Sequence, residues 1–195
     1  MVMAGEDKRK ILESYNALGG RIYDIRYEAE QEAKYEVILD SLRPRSEDVI
    51  LDDGCGTGLL LRRLNAYNVG LDFSSALLSK ARVRLKEKTG THLVQADADR
   101  LPFRPSIFNM VLAITLIQNS SRPELTICEM KRVGRQNSQL GVTALKKAFS
   151  IDEFRKTLEN SGLSNFNILL DDGHKDWFAF VTLRKEPLND IQKPM

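Results

Sequence analysis

The stretch from Val49 to Leu64, VILDDGCGTGLLLRRL, places three glycines within five residues, between an apolar run and a segment with helical spacing. A short apolar run bounded by turn residues is typical of a buried strand. Glycines that directly follow such a strand permit positive φ angles and let a ligand lie against the backbone. The stretch therefore predicts a strand, a ligand-binding turn and a helix in succession, which is the repeating unit of an α/β sheet.

The rest of the chain continues this alternation of short apolar runs and helical patterns. Buried strands are predicted at 49–52, 68–72, 92–97, 108–115 and 140–145, and helices at 59–66, 75–88 and 122–133. Ser74 or Ser75 is expected to cap the second of these helices, and Ser121 the third. A further helix begins with a capping box at Ser150 and ends at Gly162, and strands at 166–171 and 176–186 then predict a hairpin. Right-handed crossovers between these strands imply a doubly wound, mostly parallel sheet with helices on both faces.

The 195 residues fit one domain. We expect a helical cap over residues 1–45, a core over 46–186 and a tail over 187–195. The longest apolar runs are too short to span a membrane, and the charged start of the sequence lacks the apolar core of a signal peptide, so we expect a cytoplasmic protein. Two cysteines and two scattered histidines favour neither a disulfide framework nor a metal site. The net charge of +2 is too small to indicate nucleic acid binding.

Acidic and small residues follow each of the first strands. Because ligands bind beyond the carboxyl ends of the strands in an open α/β sheet, these loops are the candidate site. They contain Asp52 and the glycine turn, then Asp72, then Asp97 and Ala98, and finally Thr115, Gln118 and Asn119. A glycine turn alone is weak evidence of a nucleotide site, but acidic residues after three successive strands strengthen it.

The glycine turn differs from a dinucleotide site in its spacing and in its charge. Its pattern is Gly-x-Gly-x-Gly, one residue shorter than the Gly-x-Gly-x-x-Gly that presents a helix N-terminus to a pyrophosphate. It is also preceded by Asp52 and Asp53, and a carboxylate ~4 Å from a phosphate repels it by several kcal/mol. A ligand with adenine, ribose and positive charge but no phosphate fits these residues better.

Four segments, in this order and spacing, resemble the successive motifs of class I S-adenosylmethionine-dependent methyltransferases: ILDDGCGTG, VGLDFS, QADADRLPF and FNMVLAITLIQN. The resemblance covers about Val49 to Lys147, and the C-terminal hairpin suits the antiparallel seventh strand of that family. It implies a Rossmann-like, doubly wound, seven-stranded sheet, S-adenosylmethionine as the cofactor and methyl transfer as the reaction.

The resemblance also implies roles for individual residues. Asp52 and the backbone from Gly54 to Gly58, including Cys55 and Gly56, hold the methionine part of the cofactor. Asp72 binds the ribose hydroxyls, and Phe73 lies beside the adenine. Asp97 accepts from the adenine amino group, the Ala98 N–H reaches a ring nitrogen, and Thr115 completes the expected contacts.

The sequence departs from the family pattern at two places. Asn109 stands where the fourth motif usually has an acidic residue, at the start of a strand. The Asn/Asp-Pro-Pro-aromatic signature of amino-group methyltransferases is absent, since TLIQN follows the fourth strand. This absence disfavours N-methylation of adenine or glutamine and leaves guanine and other acceptors open.

Methyl transfer from a sulfonium is an in-line displacement that depends chiefly on positioning, and it needs a general base only for a protonated acceptor. No base is evident, and topology makes Thr115, Gln118 and Lys146 the polar candidates nearest the acceptor. Each also has a structural interpretation: Thr115 as a strand end, Gln118 as part of a helix cap, and Lys146 as one of a solvated pair with Lys147.

The remaining aromatic residues and the acceptor allow several interpretations. Tyr15, Tyr23 and Tyr27 predict either a lid over the cofactor or an extra packed helix, and Tyr35 is expected in the core. The acceptor is left open among RNA, protein and small metabolites, as are a protein partner and the oligomeric state. Two alternatives to a methyltransferase are a nicotinamide-dependent oxidoreductase and a non-catalytic cofactor-binding subunit of a complex.

Overall fold

The computed structural model describes residues 30–184. The three tyrosines proposed as a lid and the predicted tail lie outside the described residues. In chain order the described elements are α1 (30–42), β1 (Val49–Asp53), α2 (Leu59–Arg63), β2 (Tyr67–Asp72), α3 (Ser75–Arg84), β3 (Thr91–Gln95), β4 (Phe108–Ala113), a 3-10 turn (Ile117–Asn119), α4 (Pro123–Val133), β5 (Gly134–Leu145), α5 (Ile151–Asn160), β6 (Asn167–Leu169) and β7 (Asp176–Thr182).

The strands form one seven-stranded sheet in the order β3-β2-β1-β4-β5-β7-β6. The strands β1 to β5 are parallel, and β7 runs antiparallel between β5 and β6. The predicted fold class is confirmed, including the antiparallel hairpin. The strand order reverses between β1 and β4, so the cleft typical of a doubly wound sheet is expected beyond the carboxyl ends of these strands.

Alternate residues of β1 point to opposite faces of the sheet, as the period of two requires. Leu51 packs with residues of α4 and α5, whereas Ile50 packs with residues of α1, α2 and α3. Both side chains are fully buried. Helices therefore cover both faces, and the glycine turn after β1 lies at the open edge between the two cores.

Two of the predicted helix caps are confirmed and one is wrong. Ser74 accepts from the N–H of Leu77 at the start of α3, and Ser150 forms a complete capping box with Glu153 at the start of α5. The N-cap of α4 is Arg122, without a side-chain cap, in place of Ser121. Pro123 begins α4 and has no N–H to satisfy, which removes one of the groups that a cap would serve.

Several predicted element boundaries differ from the structure. The helix α2 ends at Arg63 and not at Ala66, because Leu64 already adopts an extended conformation that leads into β2. The helix α3 ends at Arg84, four residues early, since 86–88 is a charged segment with no apolar side chain to bury. The strand β5 begins at Gly134 and not at Leu140, and a register shift against β4 accommodates its added length.

Asn109 has a structural contact at the start of β4. Its Oδ1 accepts from the backbone N–H of Val49 at 2.9 Å and so joins the starts of β4 and β1, far from the carboxyl edge. Among the described helices, none is long and apolar enough to cross a lipid bilayer.

Candidate functional site

The glycine turn is held open by the end of β2. The N–H groups of Gly54 and Cys55 both donate to the carbonyl oxygen of Leu71, and that of Gly56 donates to Asp72 Oδ2 at 2.9 Å. Gly54, Gly56 and Gly58 all have positive φ. A Cβ on Gly56 would meet no atom within 4 Å, so this part of the backbone faces open space that a ligand can occupy.

Two clefts open on either side of this turn. The main cleft has about 820 Å³ of empty space and is lined by the ends of β2, β3 and β4, including Asp72, Phe73, Asp97, Ala98 and Thr115. The side cleft has about 330 Å³ and is lined by Asp52, Cys55 and Thr57 together with Gln31 and Tyr35 of α1. Gly54, Gly56 and Ile114 line both clefts. One elongated ligand can therefore cross the glycine turn from one cleft to the other.

Asp72 and Phe73 present ligand-binding groups to the main cleft. Asp72 Oδ1 accepts from the N–H of Ser74 at 2.8 Å, and Oδ2 accepts from Gly56, so the carboxylate is fixed in position. A carboxylate has about four acceptor sites, so Asp72 keeps acceptor capacity for a hydroxyl of a ligand beyond the backbone N–H groups that hold it. Phe73 is 45% exposed and lines the main cleft, so its ring offers an apolar surface to a ligand.

Asp52 and Asp53 place two buried carboxyl groups beside the glycine turn. Burial, together with the charge of Asp72, raises the pKa of Asp52 to about 7. Burial, together with the charges of Asp52, Asp72 and two further aspartates, raises the pKa of Asp53 well above its usual value. A cation in the side cleft lowers the cost of ionising Asp52. The site thus favours a cationic ligand and disfavours a phosphate.

The structure places nearly all the predicted cofactor-binding residues on one of the two clefts. The exception is Gly58, which caps the start of α2 and lines neither cleft. A Cβ on Gly58 would lie 2.8 Å from Leu85 Cδ1, so this glycine permits close packing of α2 against α3. Cys55 is buried. A Cβ on Gly70 would lie only 2.9 Å from Cys55 Sγ, so the space between these two residues is narrow and suits small side chains.

Thr115 joins the main cleft to a buried ion pair that the sequence did not reveal. Its Oγ1 accepts from Lys34 Nζ at 3.1 Å and donates to Asp176 Oδ1 at 3.2 Å. Lys34 is only 1% exposed, and its Nζ lies 2.7 Å from Asp176 Oδ2 and 3.2 Å from Glu30 Oε1. These contacts attach α1 to the start of the loop after β4 and to the start of β7.

A signal for this contact is present in α1. Gln31, Lys34, Tyr35, Ile38 and Leu42 recur at the spacing of one helix face, so two polar residues lie on an otherwise apolar stripe. A polar residue on a buried stripe requires a partner, but its identity depends on contacts distant in the chain. Tyr35 is buried as predicted, and it also lines the side cleft.

The other two acceptor-side candidates are held by protein groups. The Gln118 amide donates to the carbonyl oxygen of Thr115 within the loop after β4. Lys146 is half-buried: it donates to the carbonyl oxygen of Asp171 and lies 4.6 Å from the centroid of the Trp177 ring. The expected solvated lysine pair is therefore wrong for Lys146, whereas Lys147 is exposed.

Comparison with protein families matches residues 51–142 to a methyltransferase domain. Phosphatidylethanolamine N-methyltransferase from Cereibacter sphaeroides is 31% identical over 75% of this chain and 73% of that protein. Malonyl-[acyl-carrier protein] O-methyltransferase from Legionella pneumophila is 36% identical over 49% of this chain. The match spans only 36% of the length of the Legionella protein.

Solved structures share the fold at low sequence identity. Magnesium protoporphyrin IX methyltransferase from Synechocystis, solved with bound S-adenosylmethionine, has a TM-score of 0.75 and 16% identity, over 95% of this chain and 100% of that one. A methyltransferase in a complex with the Haloferax volcanii Trm112 methyltransferase activator has a TM-score of 0.72 and 15% identity, over 88% of this chain and 98% of that one.

Proposed function

The chain belongs to the class I S-adenosylmethionine-dependent methyltransferases, and we propose that it transfers the methyl group of that cofactor to an acceptor bound beyond β4, β5 and β7. The pair of clefts that meet at Gly54 and Gly56 carries this proposal. Both clefts are lined by carboxylates, which suit an adenosine with a cationic amino-acid tail. The same carboxylates oppose the nicotinamide dinucleotide that was an alternative from the sequence.

The proposal assigns a function to each part of the two clefts. When bound, the cofactor supplies an electrophilic methyl group on a sulfonium. Asp72 accepts the ribose hydroxyls, Phe73 covers the adenine, and Asp97 accepts from the adenine amino group. Asp52 attracts the positive charge of the methionine part, with Gln31 and Tyr35 of α1 beside it. These residues bind and orient the cofactor, and positioning can supply much of the acceleration of such a displacement.

The proposal also covers the methyl acceptor, a protein partner and the cellular compartment. The named relatives act on a phospholipid and on an acyl carrier protein, so a metabolite or a protein-bound acyl group joins RNA and protein as candidate acceptors. The structural neighbour solved with an activator protein supports a protein partner for this chain as well. Both described cysteines are free thiols, which suits a reducing cytoplasm.

A label-transfer assay tests this function directly. The purified chain is incubated with methyl-tritiated S-adenosylmethionine and, separately, with the RNA, protein and metabolite fractions of cells. We expect tritium in one fraction, and less of it for Asp72→Ala at a limiting concentration of cofactor. Binding of the cofactor without transfer to any fraction would contradict the enzyme and favour a non-catalytic subunit.

A further inference from the structure

Asp171 and His174 form a hydrogen-bonded pair in the loop between β6 and β7. The distance from His174 Nδ1 to Asp171 Oδ2 is 2.7 Å. The loop lies at the carboxyl edge of the sheet, because Asp176 at the start of β7 pairs with Leu145 at the end of β5. The pair is therefore at the edge that holds the clefts, and the proposed cofactor contacts do not use it.

The surrounding contacts hold this pair in one geometry. Asp171 Oδ1 accepts from the N–H of Gly173 at 2.7 Å, and Lys146 donates from its backbone N–H to Lys175 and from its Nζ to the carbonyl oxygen of Asp171. The imidazole packs edge-on against Phe178, with ring centroids 5.3 Å apart and planes at 83°. An imidazole held in this way is oriented in advance for proton transfer.

The carboxylate selects the tautomer of the imidazole. Asp171 accepts hydrogen bonds from the N–H of Gly173 and from the His174 ring. These two bonds lower the pKa of Asp171, so its carboxylate is charged and acts as an acceptor. In the neutral form of the imidazole, this carboxylate favours the tautomer with the proton on Nδ1 and a lone pair on Nε2. No hydrogen-bond partner of Nε2 lies among residues 30–184, and the side chain is 20% exposed. His174 lines neither of the two clefts, and its Nε2 is available to a group bound beside them at this edge.

The chain connects this pair closely to the main cleft. Asp176 follows His174 by two residues, a separation of at most about 7 Å along the backbone. Asp176 contacts Thr115, and Thr115 lines the main cleft. The charged groups around His174 are Asp171 and Asp172 of its own loop, Lys146 after β5, Lys175 and Asp176 before β7, and Glu30 and Lys34 of α1. Among them, Lys34 pairs with Glu30 and Asp176, and Lys175 pairs with Glu30.

We propose that His174, positioned by Asp171, is the general base that deprotonates the methyl acceptor. This inference rests on the proposed function. His174 Nε2 takes the proton of an acceptor O–H or N–H while the lone pair of the acceptor atom bonds to the methyl carbon. The C–S bond breaks with its electron pair staying on sulfur, and the imidazolium then releases the proton to water. The acceptor is accordingly a group that keeps its proton at neutral pH and not a carboxylate: a hydroxyl, or a protonated amine that gives its proton to Nε2 first and attacks with the lone pair thus freed.

The test uses the full chain, methyl-tritiated cofactor and the cell fraction that the wild type labels. His174→Gln is expected to lower the initial rate at pH 7 by about 10²- to 10⁴-fold, with unchanged affinity for S-adenosylhomocysteine. The wild-type rate is expected to rise with pH and then level off, whereas the rate of His174→Gln keeps rising with pH. The matched control is His92→Gln, since His92 is the only other histidine and lies exposed on β3.

A second readout is independent of activity. With only two histidines in the chain, nitrogen-15 spectra of the imidazoles are readily assigned, and we expect the Nδ1–H tautomer at His174 and its loss in Asp171→Asn. If His174→Gln kept the rate and the pH profile of the wild type, this inference would be overturned and the proposed function would stand. Absence of any transfer by the wild-type chain would overturn the proposed function and this inference with it.

Discussion

Asp52 and Asp53 are adjacent on β1 but their side chains point to opposite faces of the sheet. Asp52 lines the side cleft, where a cationic ligand can reach it. Asp53 is fully buried, and neither of its carboxylate oxygens has a hydrogen-bond partner among the described residues. An uncompensated polar group in this position reduces stability, so the two neighbours respond differently to substitution.

Replacing Asp53 with valine is expected to raise the free energy of unfolding by about 1–3 kcal/mol, because it removes a buried group without partners. Burial raises the pKa of Asp53 in the folded chain above its value in the unfolded chain, so the folded state binds more protons. Wild-type stability therefore falls as the pH rises above the unfolded pKa. Urea denaturation should show a larger gain from Asp53→Val at pH 8 than at pH 5, and a loss at both pH values would contradict this account.

The affinity for S-adenosylmethionine is expected to increase several-fold between about pH 6 and about pH 7.5. Asp52 has a pKa of about 7 in the free protein, and only its ionised form attracts the positive charge of the cofactor. Above about pH 8 the cofactor amino group loses its own charge, so the increase should stop there. Calorimetric titration measures the trend, and Asp52→Asn should remove it. An affinity that does not change with pH in this range would refute the role of Asp52.

At the scale of elements, the attachment of α1 depends on the buried pair of Lys34 and Asp176. Removing one partner leaves a buried charge uncompensated, so Lys34→Met should lower the free energy of unfolding by about 3–5 kcal/mol. The double variant with Asp176→Asn should recover a large part of that loss, because it removes the second charge. Denaturation of both single variants and of the double variant gives the coupling energy. If the double variant lost as much free energy of unfolding as the two single variants together, the pair would not be coupled.

The elements also divide into those that the sequence predicted well and those that it did not. The capping box at Ser150 and the cap at Ser74 depend on residues within one helical turn, so the sequence alone located them. The early end of α2 at Leu64 and the early start of β5 at Gly134 depend on pairing with distant strands. Local patterns carry no information about such pairing, and the predicted bounds were wrong there.

At the scale of the whole molecule, the doubly wound seven-stranded sheet and the edge that holds the proposed cofactor-binding residues could be predicted from the sequence. The aspartates after β1, β2 and β3 lie in or beside the clefts because parallel strands end at the same edge. Two sets of contacts at this edge could not be predicted. The contacts of Lys34 with Thr115 and Asp176 join residues that are more than 80 positions apart, and the Asp171–His174 pair lies in a loop whose placement depends on β5 and β7.

The central claim is that the two clefts hold an adenosine with a cationic amino-acid tail. Its most direct test is calorimetric titration of the purified chain with S-adenosylhomocysteine and, separately, with NAD. Asp72→Ala is the test variant and Asp152→Ala is the control, since Asp152 is exposed at the start of α5.

We expect S-adenosylhomocysteine to bind one site per chain and NAD not to bind. Asp72→Ala should weaken the binding by about 1–3 kcal/mol, because it leaves the ribose hydroxyls without their acceptor, whereas Asp152→Ala should leave it unchanged. No heat with S-adenosylhomocysteine, or tight binding of NAD, would contradict the account.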